Sequence, residues 1–357
     1  MVVTRVGLTD FRSYTRHELA LAPGLVVIVG PNGAGKTSLL EAVHVGTQGY
    51  SPKTRREVTA IRFGAPAARV VVHGTGPAGG GFMTQVTMSR SAGKEIVLNG
   101  APVEGTEVLR RSFPVLAFTP DRLAVVKGGP AVRRTYFDRA FARTAPSCAS
   151  LPGEFVHALA QRNAALRRAR AGLSPSSSIE PWTVAVARLG RELDASRGQL
   201  VEALAPRFAA RACDLGLEQA RLSYEGSGIT EETLEHRLGD DLERGTTGIG
   251  PHLCDVGIGA AGRDLRAYGS QGEQRLAVLS LLLGEADLLG EIHAHPPLLL
   301  LDDVLSELDD RRRSALVDSL PSGGQTLLTA TALRALPNGT PRPALVVEVA
   351  AGETVIR

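Results

Sequence analysis

The sequence contains few cysteines, few aromatic residues and no long apolar run. Its three cysteines lie far apart and form no CxxC pair: Cys148, Cys213 and Cys254. A zinc site or a disulfide framework is therefore not expected, and we expect a reduced, cytoplasmic protein. No segment approaches the roughly 18 apolar residues that cross a bilayer. The first residues lack the basic-then-apolar layout of a signal peptide, so we expect no membrane partner.

Charge is distributed unevenly along a chain that is nearly neutral overall. The 357 residues contain 40 Lys+Arg and 37 Asp+Glu, a net +3. Residues 51–170 hold 19 basic against 7 acidic side chains, a net +12, whereas residues 171–357 hold 17 against 27, a net −10. This concentration of positive charge indicates either a face that binds a polyanion or arginine-rich helices with a solvated surface.

The spacing of apolar residues predicts an α/β fold that is interrupted by a helical region. Apolar and β-branched runs predict strands near both ends of the chain. The pair Asn99-Gly100 predicts a tight turn after a short antiparallel meander. Strands are predicted at 2–8, 25–29, 298–301, 326–329 and 345–349, the meander at 69–73, 85–89 and 96–98, and helices at 38–45 and 271–290.

The middle of the chain has a helical period. From about residue 131 to residue 220, apolar side chains recur at three- and four-residue steps. Residues 174–178 predict a mobile loop. The two ends of the chain, 1–120 and 245–357, are predicted to form one head, with 121–244 as an inserted, mainly helical lobe. Five prolines are expected to divide the helical region into short pieces: Pro146, Pro152, Pro175, Pro181 and Pro206.

A glycine-rich motif predicts a phosphate-binding loop. Residues 30–37, GPNGAGKT, fit GxxxxGK[ST] between a predicted buried strand and a predicted helix. Glycines let backbone N–H groups close around an anion, and the helix N-terminus adds the positive end of its dipole. Lys36 is expected to reach the β- and γ-phosphates of ATP, and the Thr37 hydroxyl to bind Mg²⁺. The predicted nucleotide contacts are Gly30, Asn32, Gly33, Ala34, Gly35, Lys36, Thr37 and Ser38.

A second acidic motif fits the metal and water chemistry of a nucleotide hydrolase. The apolar run 298–301 leads directly into Asp302-Asp303, the pattern of a Walker B strand. Asp302 is expected to hold Mg²⁺, and Asp303 to act as the base that orients the attacking water. Alone, this pair is equally consistent with two solvated acids after a buried strand. The phosphate-binding loop favours the catalytic interpretation.

Three further motifs resemble those of ABC-type ATPases and follow their order. Residues 268–275, YGSQGEQR, resemble the signature motif, although a Gly/Ser/Gln turn by itself is also a common helix cap. Residues 306–309, SELD, resemble the D-loop, and Thr329-Ala330-Thr331 occupies the switch position, with Thr331 as the candidate catalytic residue. In that class two heads pack head-to-tail, so the resemblance implies an ATP-dependent homodimer. Ser270 and Gly272 are then expected to act on the partner's nucleotide.

Two branches of the class fit poorly. Transporter subunits normally carry histidine at the switch position, where this chain has Thr331, and they need a membrane partner. Coiled-coil heads separate the two Walker motifs by hundreds of heptad residues. Here 266 positions separate Lys36 from Asp302, without a sustained heptad pattern. A small head that works as an enzyme switch, or one that barely hydrolyses ATP and acts as a scaffold, both stay open.

Along nearly its whole length the sequence resembles the RecF family of recombination mediators. The resemblance implies a P-loop ABC-type ATPase head with a mixed sheet plus an antiparallel β meander, and an inserted, mainly helical lobe. It also adds Arg12, within a segment similar to the family's FRxY element, to the expected nucleotide contacts. The similar segments are DFRSY at 10–14, the phosphate-binding loop and its helix at 30–42, TPDRL to the Arg-Arg pair at 119–134, and the motifs at 268–275 and 298–309.

The resemblance implies a function in recombinational repair. Such proteins are weak DNA-dependent ATPases that bind single-stranded or gapped DNA and single-strand/double-strand junctions as ATP-closed dimers. They help to load recombinase with RecR and RecO proteins, and they serve DNA replication and the SOS response. Aromatic residues are only 4% of the chain and Trp182 is its single tryptophan, so backbone charge is expected to dominate binding. The candidate phosphate contacts are Lys53, Arg55, Arg56, Arg110, Arg111, Arg133 and Arg134.

The chain departs from the family pattern at one motif. Residues 250–255, GPHLCD, stand where the family commonly has GPHRDD, so Leu253 and Cys254 replace an Arg and an Asp. Any polar role of these two positions is therefore not expected here. The base position is Asp303, as is usual in the family, whereas transporters have Glu. The shorter side chain reaches the attacking water less well, which predicts slow ATP hydrolysis.

Overall fold

The structure, a computed structural model, describes residues 1–54, 56–77, 79–340, 342–350 and 353–356. Its residues form two compact units, each continuous in space but not in sequence. Unit 1 consists of Met1–Leu123, Ala210–Leu217 and Gln271–Arg357, and unit 2 of Ala124–Ala209 and Glu218–Ser270.

The strands alternate with helices near both chain ends, and helices dominate the middle. In chain order the strands are β1 (Val2–Phe11), β2 (Tyr14–Ala20), β3 (Gly24–Val29), β4 (Ala67–Thr75), β5 (Gly81–Ser89), β6 (Gly93–Leu98), β7 (Ala101–Pro102), β8 (Val115–Phe118), β9 (Arg221–Tyr224), β10 (Val256–Ala260), β11 (Arg263–Asp264), β12 (Leu298–Leu301), β13 (Gln325–Ala330), β14 (Leu345–Ala350) and β15 (Glu353–Ile356). The helices are α1 (Lys36–Gln48), α2 (Glu107–Ser112), α3 (Ala124–Lys127), α4 (Pro130–Thr144), α5 (Leu151–Arg170), α6 (Glu180–Asp214), α7 (Glu231–His236), α8 (Leu238–Arg244), α9 (Leu265–Tyr268), α10 (Gln271–His293) and α11 (Asp310–Asp318).

Unit 1 contains two sheets that carry the predicted strands. The first is antiparallel, with strand order β2-β1-β4-β5-β6-β7. The second has the order β15-β14-β3-β13-β12-β8, in which all neighbours are parallel except the β14–β15 pair. The predicted α/β class, with a mixed sheet and an antiparallel meander, is confirmed.

The central parallel strands are buried along their whole length because both of their faces are covered. All four residues of β12 and all six of β13 are buried. The helix α1, buried on all sides from Leu39 onward, packs on the antiparallel sheet at a glycine: a Cβ on Gly46 would lie 2.2 Å from Cγ2 of Val72. This close approach fixes α1, and with it the loop that joins it to β3.

The Asn99-Gly100 turn forms as predicted. Asn99 has φ 51° and Gly100 has φ 85°, the left-handed pair that a two-residue hairpin requires. The turn joins β6 to β7, and Leu98, the last residue of β6, pairs with Ala101, the first residue of β7. Residues with ready access to positive φ therefore set the register at this sheet edge.

Unit 2 is mainly helical, with one small antiparallel sheet of order β11-β10-β9. The expectation that prolines divide its helices is wrong for α6, which contains Pro181 in its first turn and Pro206 in its interior. A first-turn proline removes an N–H that has no helical partner, so it is tolerated. At Pro206, burial of Leu204 and Phe208 on either side holds the helix together despite the lost backbone hydrogen bond.

The segment 174–178, predicted to be a mobile loop, is largely exposed and leads into a buried residue. Its C-terminal part lies in a 3₁₀ turn, Ser176–Ile179. Ile179 is buried in a small cluster with Ala165 and Leu166 of α5. The serine-rich composition predicts a loop correctly but carries no information about the apolar residue that follows it.

The unit boundaries differ from those predicted from sequence. Residues 245–270, which the sequence places in the head, group with unit 2. The reason is sheet pairing, because β10 is hydrogen-bonded to β9 from Val256 to Gly259. Residues 121–123 group with unit 1 instead of the lobe. Across the described residues, every helix is too short or too polar to cross a lipid bilayer.

One buried amide joins the two sheets of unit 1. Gln325, the first residue of β13, is fully buried, and its Oε1 accepts from the Val3 backbone N–H at 2.7 Å. Its Nε2 donates to the carbonyl oxygens of Val3 and Ala22, both at 2.8 Å. The mixed sheet thus satisfies backbone groups near the start of β1 and just after the end of β2.

We expect Gln325→Leu to lower the free energy of unfolding by about 3 kcal/mol, because it leaves buried backbone groups without partners. Urea unfolding followed by circular dichroism measures the change. Gln85→Leu, at a half-buried position on β5, is the control and is expected to have a much smaller effect. Equal stability of Gln325→Leu and the unsubstituted protein would contradict the role of the amide.

Candidate nucleotide-binding site

The phosphate-binding loop runs from the end of β3 to the start of α1, and its glycines are required by their surroundings. A Cβ on Gly30 would lie 2.2 Å from the carbonyl oxygen of Val349. Gly35, the N-cap of α1, has φ 112°, and a Cβ there would lie 2.8 Å from Oη of Tyr14. The loop therefore brings its backbone closer to β14 and to Tyr14 than any other residue type would allow.

Lys36 is buried at the mouth of this loop. Its side chain is turned onto the loop, where Nζ donates to the carbonyl oxygens of Gly30 at 2.7 Å and Pro31 at 3.0 Å. Burial lowers the pKa of Lys36, and the charges of Asp303 and Asp302 oppose that shift. The ammonium group thus lies where the loop, the helix N-terminus and two carboxylates meet, which suits a polyphosphate.

Asp302 joins the two Walker motifs through direct hydrogen bonds. Its carboxylate is buried, and Oδ1 accepts from Oγ1 of Thr37 at 2.8 Å and from Oγ1 of Thr329 at 2.9 Å. Hydroxyl and carboxylate oxygens are ligands that Mg²⁺ prefers, and this metal usually takes only one or two of them from protein. The Thr37 hydroxyl and the Asp302 carboxylate are such oxygens, so this donor set fits Mg²⁺ bound together with phosphate and water oxygens.

Asp303 has an unusual backbone conformation that its neighbours hold in place. Its φ of 50° lies in the left-handed region, which costs a non-glycine residue of the order of 1 kcal/mol. Its N–H donates to Oγ1 of Thr329 at 2.8 Å. Its carbonyl oxygen accepts from Nη2 of Arg275 at 2.9 Å and from Oγ of Ser306 at 3.1 Å. The strained residue is therefore fixed from the strand, the helix and the following loop.

The contacts of two of these fixing residues are not predicted from sequence. Thr329 belongs to the predicted switch segment and lies in the buried strand β13, but no role of its hydroxyl is predicted. Arg275 is the last residue of the signature-like motif, and its buried guanidinium also pairs with Glu307 and lies 5.6 Å from the centre of the Phe118 ring. Neither position reveals its partners without the fold.

Arg12 is held by a carboxylate on the phosphate-binding helix. Its Nε and Nη2 donate to the two carboxylate oxygens of Glu41 at 2.9 and 2.6 Å, and Nη1 donates to the carbonyl oxygen of Thr59 at 2.8 Å. Glu41 is buried and also accepts from Oγ of Ser51 at 2.5 Å. Sequence analysis missed Glu41, because a single acid in a helix after the loop has no signature of its own.

The other predicted nucleotide and catalytic residues differ in exposure. Within the loop, Asn32 and Gly33 are exposed, Ala34 is buried, and Ser38 is half-buried in the first turn of α1. Thr331 is exposed just after β13. The signature-like motif is also exposed at its start, at Ser270, Gln271 and Gly272.

The predicted phosphate contacts fall into both units. In unit 1, Lys53, Arg56 and Arg111 are exposed, whereas Arg110 is half-buried and pairs with Glu107. Arg55 lies outside the described residues. Exposure of the first three leaves their charges available to a polyanion.

In unit 2 the predicted Arg-Arg pair is engaged internally. Arg133 is 4% exposed; its Nε donates to Asp255 at 2.7 Å and its Nη1 to the carbonyl oxygen of Gly128 at 2.9 Å. Nη1 of Arg134 donates to the carbonyl oxygen of Cys254 at 2.9 Å. Arg133 thus serves the packing of unit 2 and presents no face to a phosphate. Because Arg134 contacts the backbone oxygen of Cys254, this contact does not depend on the cysteine side chain. The neighbouring Leu253 side chain is 57% exposed.

The fold and the joined Walker motifs define an ABC-type ATPase head. The sequence model described as the RecF/RecN/SMC N terminal domain matches residues 2–332, and the chain belongs to that family. Within the family, it is similar to the RecF group. It is 36% identical to the DNA replication and repair protein RecF of Anaeromyxobacter sp. strain Fw109-5, over 93% of this chain and 92% of that one. It is 32% identical to the protein of the same name from Heliobacterium modesticaldum, over 94% of both.

Solved structures show the same fold. The recombination mediator protein RecF-ATP in the RecFOR pathway superposes with a TM-score of 0.86 at 24% identity, covering 99% of this chain and 97% of that one. An SMC head bound to the C-winged helix domain of ScpA gives 0.61 at 16% identity, covering 100% and 97%. At these identities the likeness concerns the fold alone.

We expect Thr329→Val to slow ATP hydrolysis at least tenfold, because it removes the hydroxyl that fixes both Asp302 and the Asp303 backbone. Nucleotide binding is expected to stay within about threefold, since the phosphate-binding loop is untouched. Steady-state phosphate release and equilibrium nucleotide titration measure the two quantities.

The controls for this substitution lie on the same strand and at the same site. Thr326→Val replaces another buried threonine of β13 and is expected to leave hydrolysis unchanged. Thr329→Ser keeps the hydroxyl and is expected to retain most activity. Hydrolysis by Thr329→Val at the unsubstituted rate would show that Asp303 does not depend on this contact.

Proposed function

We propose that the chain is an ATP-dependent DNA-binding protein of recombinational repair. Two copies close around ATP, the closed dimer holds single-stranded or gapped DNA, and slow hydrolysis opens it again. In this role it helps to load recombinase at gaps and single-strand/double-strand junctions, and it serves DNA replication and the SOS response. The names of its relatives and the resemblance of its motifs support the pathway, and the site geometry supports the chemistry.

The observation that carries the proposal is the bond of Asp302 to both Thr37 and Thr329. It brings the phosphate-binding helix and the Walker B strand together at one carboxylate. Backbone N–H groups of the loop and the Lys36 ammonium bind the phosphates, and Thr37 with Asp302 would hold Mg²⁺. When bound, the metal neutralises charge that develops on the phosphates.

Asp303 is proposed as the base that orients the attacking water. Its backbone is fixed by Thr329, Arg275 and Ser306, so the carboxylate starts from one defined position. Aspartate has one methylene fewer than glutamate, which shortens its reach. Hydrolysis is therefore proposed to be slow, as suits a timer that controls how long the dimer stays closed. Its dependence on DNA is proposed from the resemblance to RecF proteins.

The exposure of the signature-like motif supports action on a second copy. Ser270 and Gly272 face solvent, and α10 begins between them at Gln271. In a head-to-tail dimer, this serine and the helix N-terminus contact the γ-phosphate of the partner's nucleotide, which links closure to ATP. Thr331 is proposed to lie near the reacting phosphate.

The exposed cations of unit 1 are proposed to bind the DNA backbone. Lys53, Arg56 and Arg111 supply charge without a buried carboxylate to neutralise it. RecR and RecO proteins are proposed as partners, because a similar solved structure is described as part of the RecFOR pathway. The proposed location is the cytoplasm.

We expect Ser270→Arg to bind ATP yet stay monomeric, because the larger cation blocks the contact with the partner's nucleotide. Sedimentation velocity with and without ATP measures the dimer fraction, and a fluorescent ATP analogue measures binding. Ser322→Arg, another exposed serine, is the control and is expected to dimerise normally. An ATP-bound dimer of Ser270→Arg would contradict action in trans.

The Lys36→Arg variant distinguishes a switch that opens on ATP hydrolysis from a scaffold that barely hydrolyses ATP. We expect it to retain nucleotide but to lose hydrolysis by roughly a hundredfold, because guanidinium geometry differs from that of a point charge. In the switch mechanism this variant stays closed on DNA after ATP is diluted, whereas the unsubstituted protein releases. Equal DNA lifetimes for both proteins in single-turnover assays would favour the scaffold.

We expect binding of DNA to weaken by several orders of magnitude between 50 and 200 mM salt if roughly 6–10 phosphates are neutralised. The double variant Lys53→Gln/Arg56→Gln is expected to reduce the slope of log K against log salt by about two. Fluorescence anisotropy with ATP present measures both. Arg188→Gln/Arg191→Gln, on the exposed surface of α6, is the matched control. An unchanged slope in the first double variant would remove these two cations from the interface.

A further inference from the structure

One aromatic side chain of unit 1 is wholly exposed. Phe63 is 99% exposed, whereas the next most exposed large apolar side chains in the described residues, Leu173 and Tyr268, reach 70%. A buried phenylalanine stabilises a fold by about 1.5–3 kcal/mol, so an exposed one contributes nothing to stability of the isolated chain. Its position therefore needs an explanation outside the core.

The exposure of Phe63 is built into the backbone and does not result from a loose loop. Residues on both sides of it, Ile61 and Ala65, are buried in the main core of unit 1. The Arg62 N–H donates to the carbonyl oxygen of Asp10 at 2.8 Å, and the Ala65 N–H donates to that of Arg62 at 3.0 Å. Ile61 also forms a β-bridge with Phe11 of β1. The turn is thus attached to the sheet at both ends and presents its ring to solvent.

The turn that carries this ring has a glycine directly after it. Gly64 has φ 83°, a conformation that favours glycine, and a Cβ there would meet nothing within 4 Å. Nε of Arg90 donates to the carbonyl oxygen of Ala65 at 3.0 Å, which fixes the far side of the turn. The space next to Phe63 is open, so a planar group has room to approach its face.

The chemistry of the same segment favours an anionic ligand. Lys53 and Arg56 are exposed, and the Arg62 side chain is 44% exposed with its Nη1 3.9 Å from Asp10 Oδ1, a weak pair. The one acid between these cations, Glu57, is engaged by Lys94 at 2.6 Å. The exposed ring therefore shares the segment 53–63 with three exposed cations. A protein partner would find little complementary apolar surface here, because the other exposed large apolar side chain of this segment is Val58, at 41%.

We propose that Phe63 is a base-stacking contact for an unpaired nucleotide, with Lys53, Arg56 and Arg62 binding the adjoining phosphates. Aromatic rings stack on bases regardless of their sequence, and a flanking row of cations holds the backbone. A fully paired duplex keeps its bases stacked on each other, so it engages only the cations. This inference rests on the proposed DNA-binding function and adds to it the means by which single-stranded and gapped DNA are preferred.

The test compares Phe63→Ala with the unsubstituted full-length protein on two probes, an oligo(dT) strand and a blunt duplex of equal length, with ATP present. Stacking on one base is worth a factor of roughly ten to a hundred in affinity. We expect Phe63→Ala to lose about that much affinity for the single strand, and no more than about twofold for the duplex. Phe63→Tyr keeps a ring and is expected to retain the preference. Leu173→Ala, at another exposed apolar side chain, is the matched control and is expected to change neither affinity.

A second variant reports the contact directly. In Phe63→Trp, made in a Trp182→Phe background, the new indole is the only tryptophan of the chain. Its emission is expected to be quenched by oligo(dT) and unchanged by the duplex, a signal that an indirect structural effect would not produce. The same emission titration with Lys53→Gln added is expected to saturate at higher DNA concentration with equal final quenching.

The outcomes separate this inference from the proposed function. If the unsubstituted protein binds DNA but Phe63→Ala keeps its full affinity for the single strand, the stacking contact is overturned and the proposed function stands. If Phe63→Ala loses the ATP-dependent dimer while monomer binding to DNA is unchanged, the ring serves a protein interface and the inference is overturned as well. Absence of DNA binding by the unsubstituted protein would overturn both.

Discussion

The carboxylate of Asp302 is the group on which the site depends, because it is the place where two distant parts of the chain become one structure. Thr37 and Asp302 are separated by 265 positions, yet their oxygens lie 2.8 Å apart. Parallel pairing of β13 with both β3 and β12 makes this contact possible, since the three strands end at the same edge. A buried carboxylate is costly to desolvate, and the two hydroxyl hydrogen bonds offset part of that cost while fixing its position.

The same strand also controls the residue that follows Asp302. Thr329 donates its hydroxyl proton to Asp302 and accepts the Asp303 N–H with the same oxygen, so a single threonine sets the position of Asp302 relative to the Asp303 backbone. The left-handed backbone of Asp303 is tolerated because three partners hold it, which is how strain is usually retained at functional sites. The three contacts fix the Asp303 backbone, so the reach of its carboxylate is set by the side chain alone.

The sequence predicts the fold class, the strands around both Walker motifs and the Asn99-Gly100 turn, because each depends on local patterns. It does not predict the continuity of α6 through Pro206, since that follows from burial of Leu204 and Phe208, a tertiary effect. The phosphate-binding residues are readable from spacing, whereas Thr329, Glu41 and Arg275 are not, because their importance comes from contacts with residues far away in the chain. For Arg133 the sequence predicts too much. A pair of arginines is typical of a phosphate contact, but the fold gives Arg133 a carboxylate partner, Asp255.

Helix α1 connects the phosphate site with the basic segment 53–62 that follows it. Lys36 and Thr37 stand in its first turn, and Glu41, slightly more than one turn further on, accepts from Arg12 and from Ser51. The Ser51 oxygen in turn accepts the backbone N–H of Lys53 at 3.1 Å. Since Glu41 is buried, it needs these partners, and removing Arg12 would leave a buried acid without its ion pair. The position of the basic segment is therefore fixed by the same helix that fixes the nucleotide-binding loop. The low aromatic content of the chain, 4%, does not exclude a stacking role for one exposed ring such as Phe63.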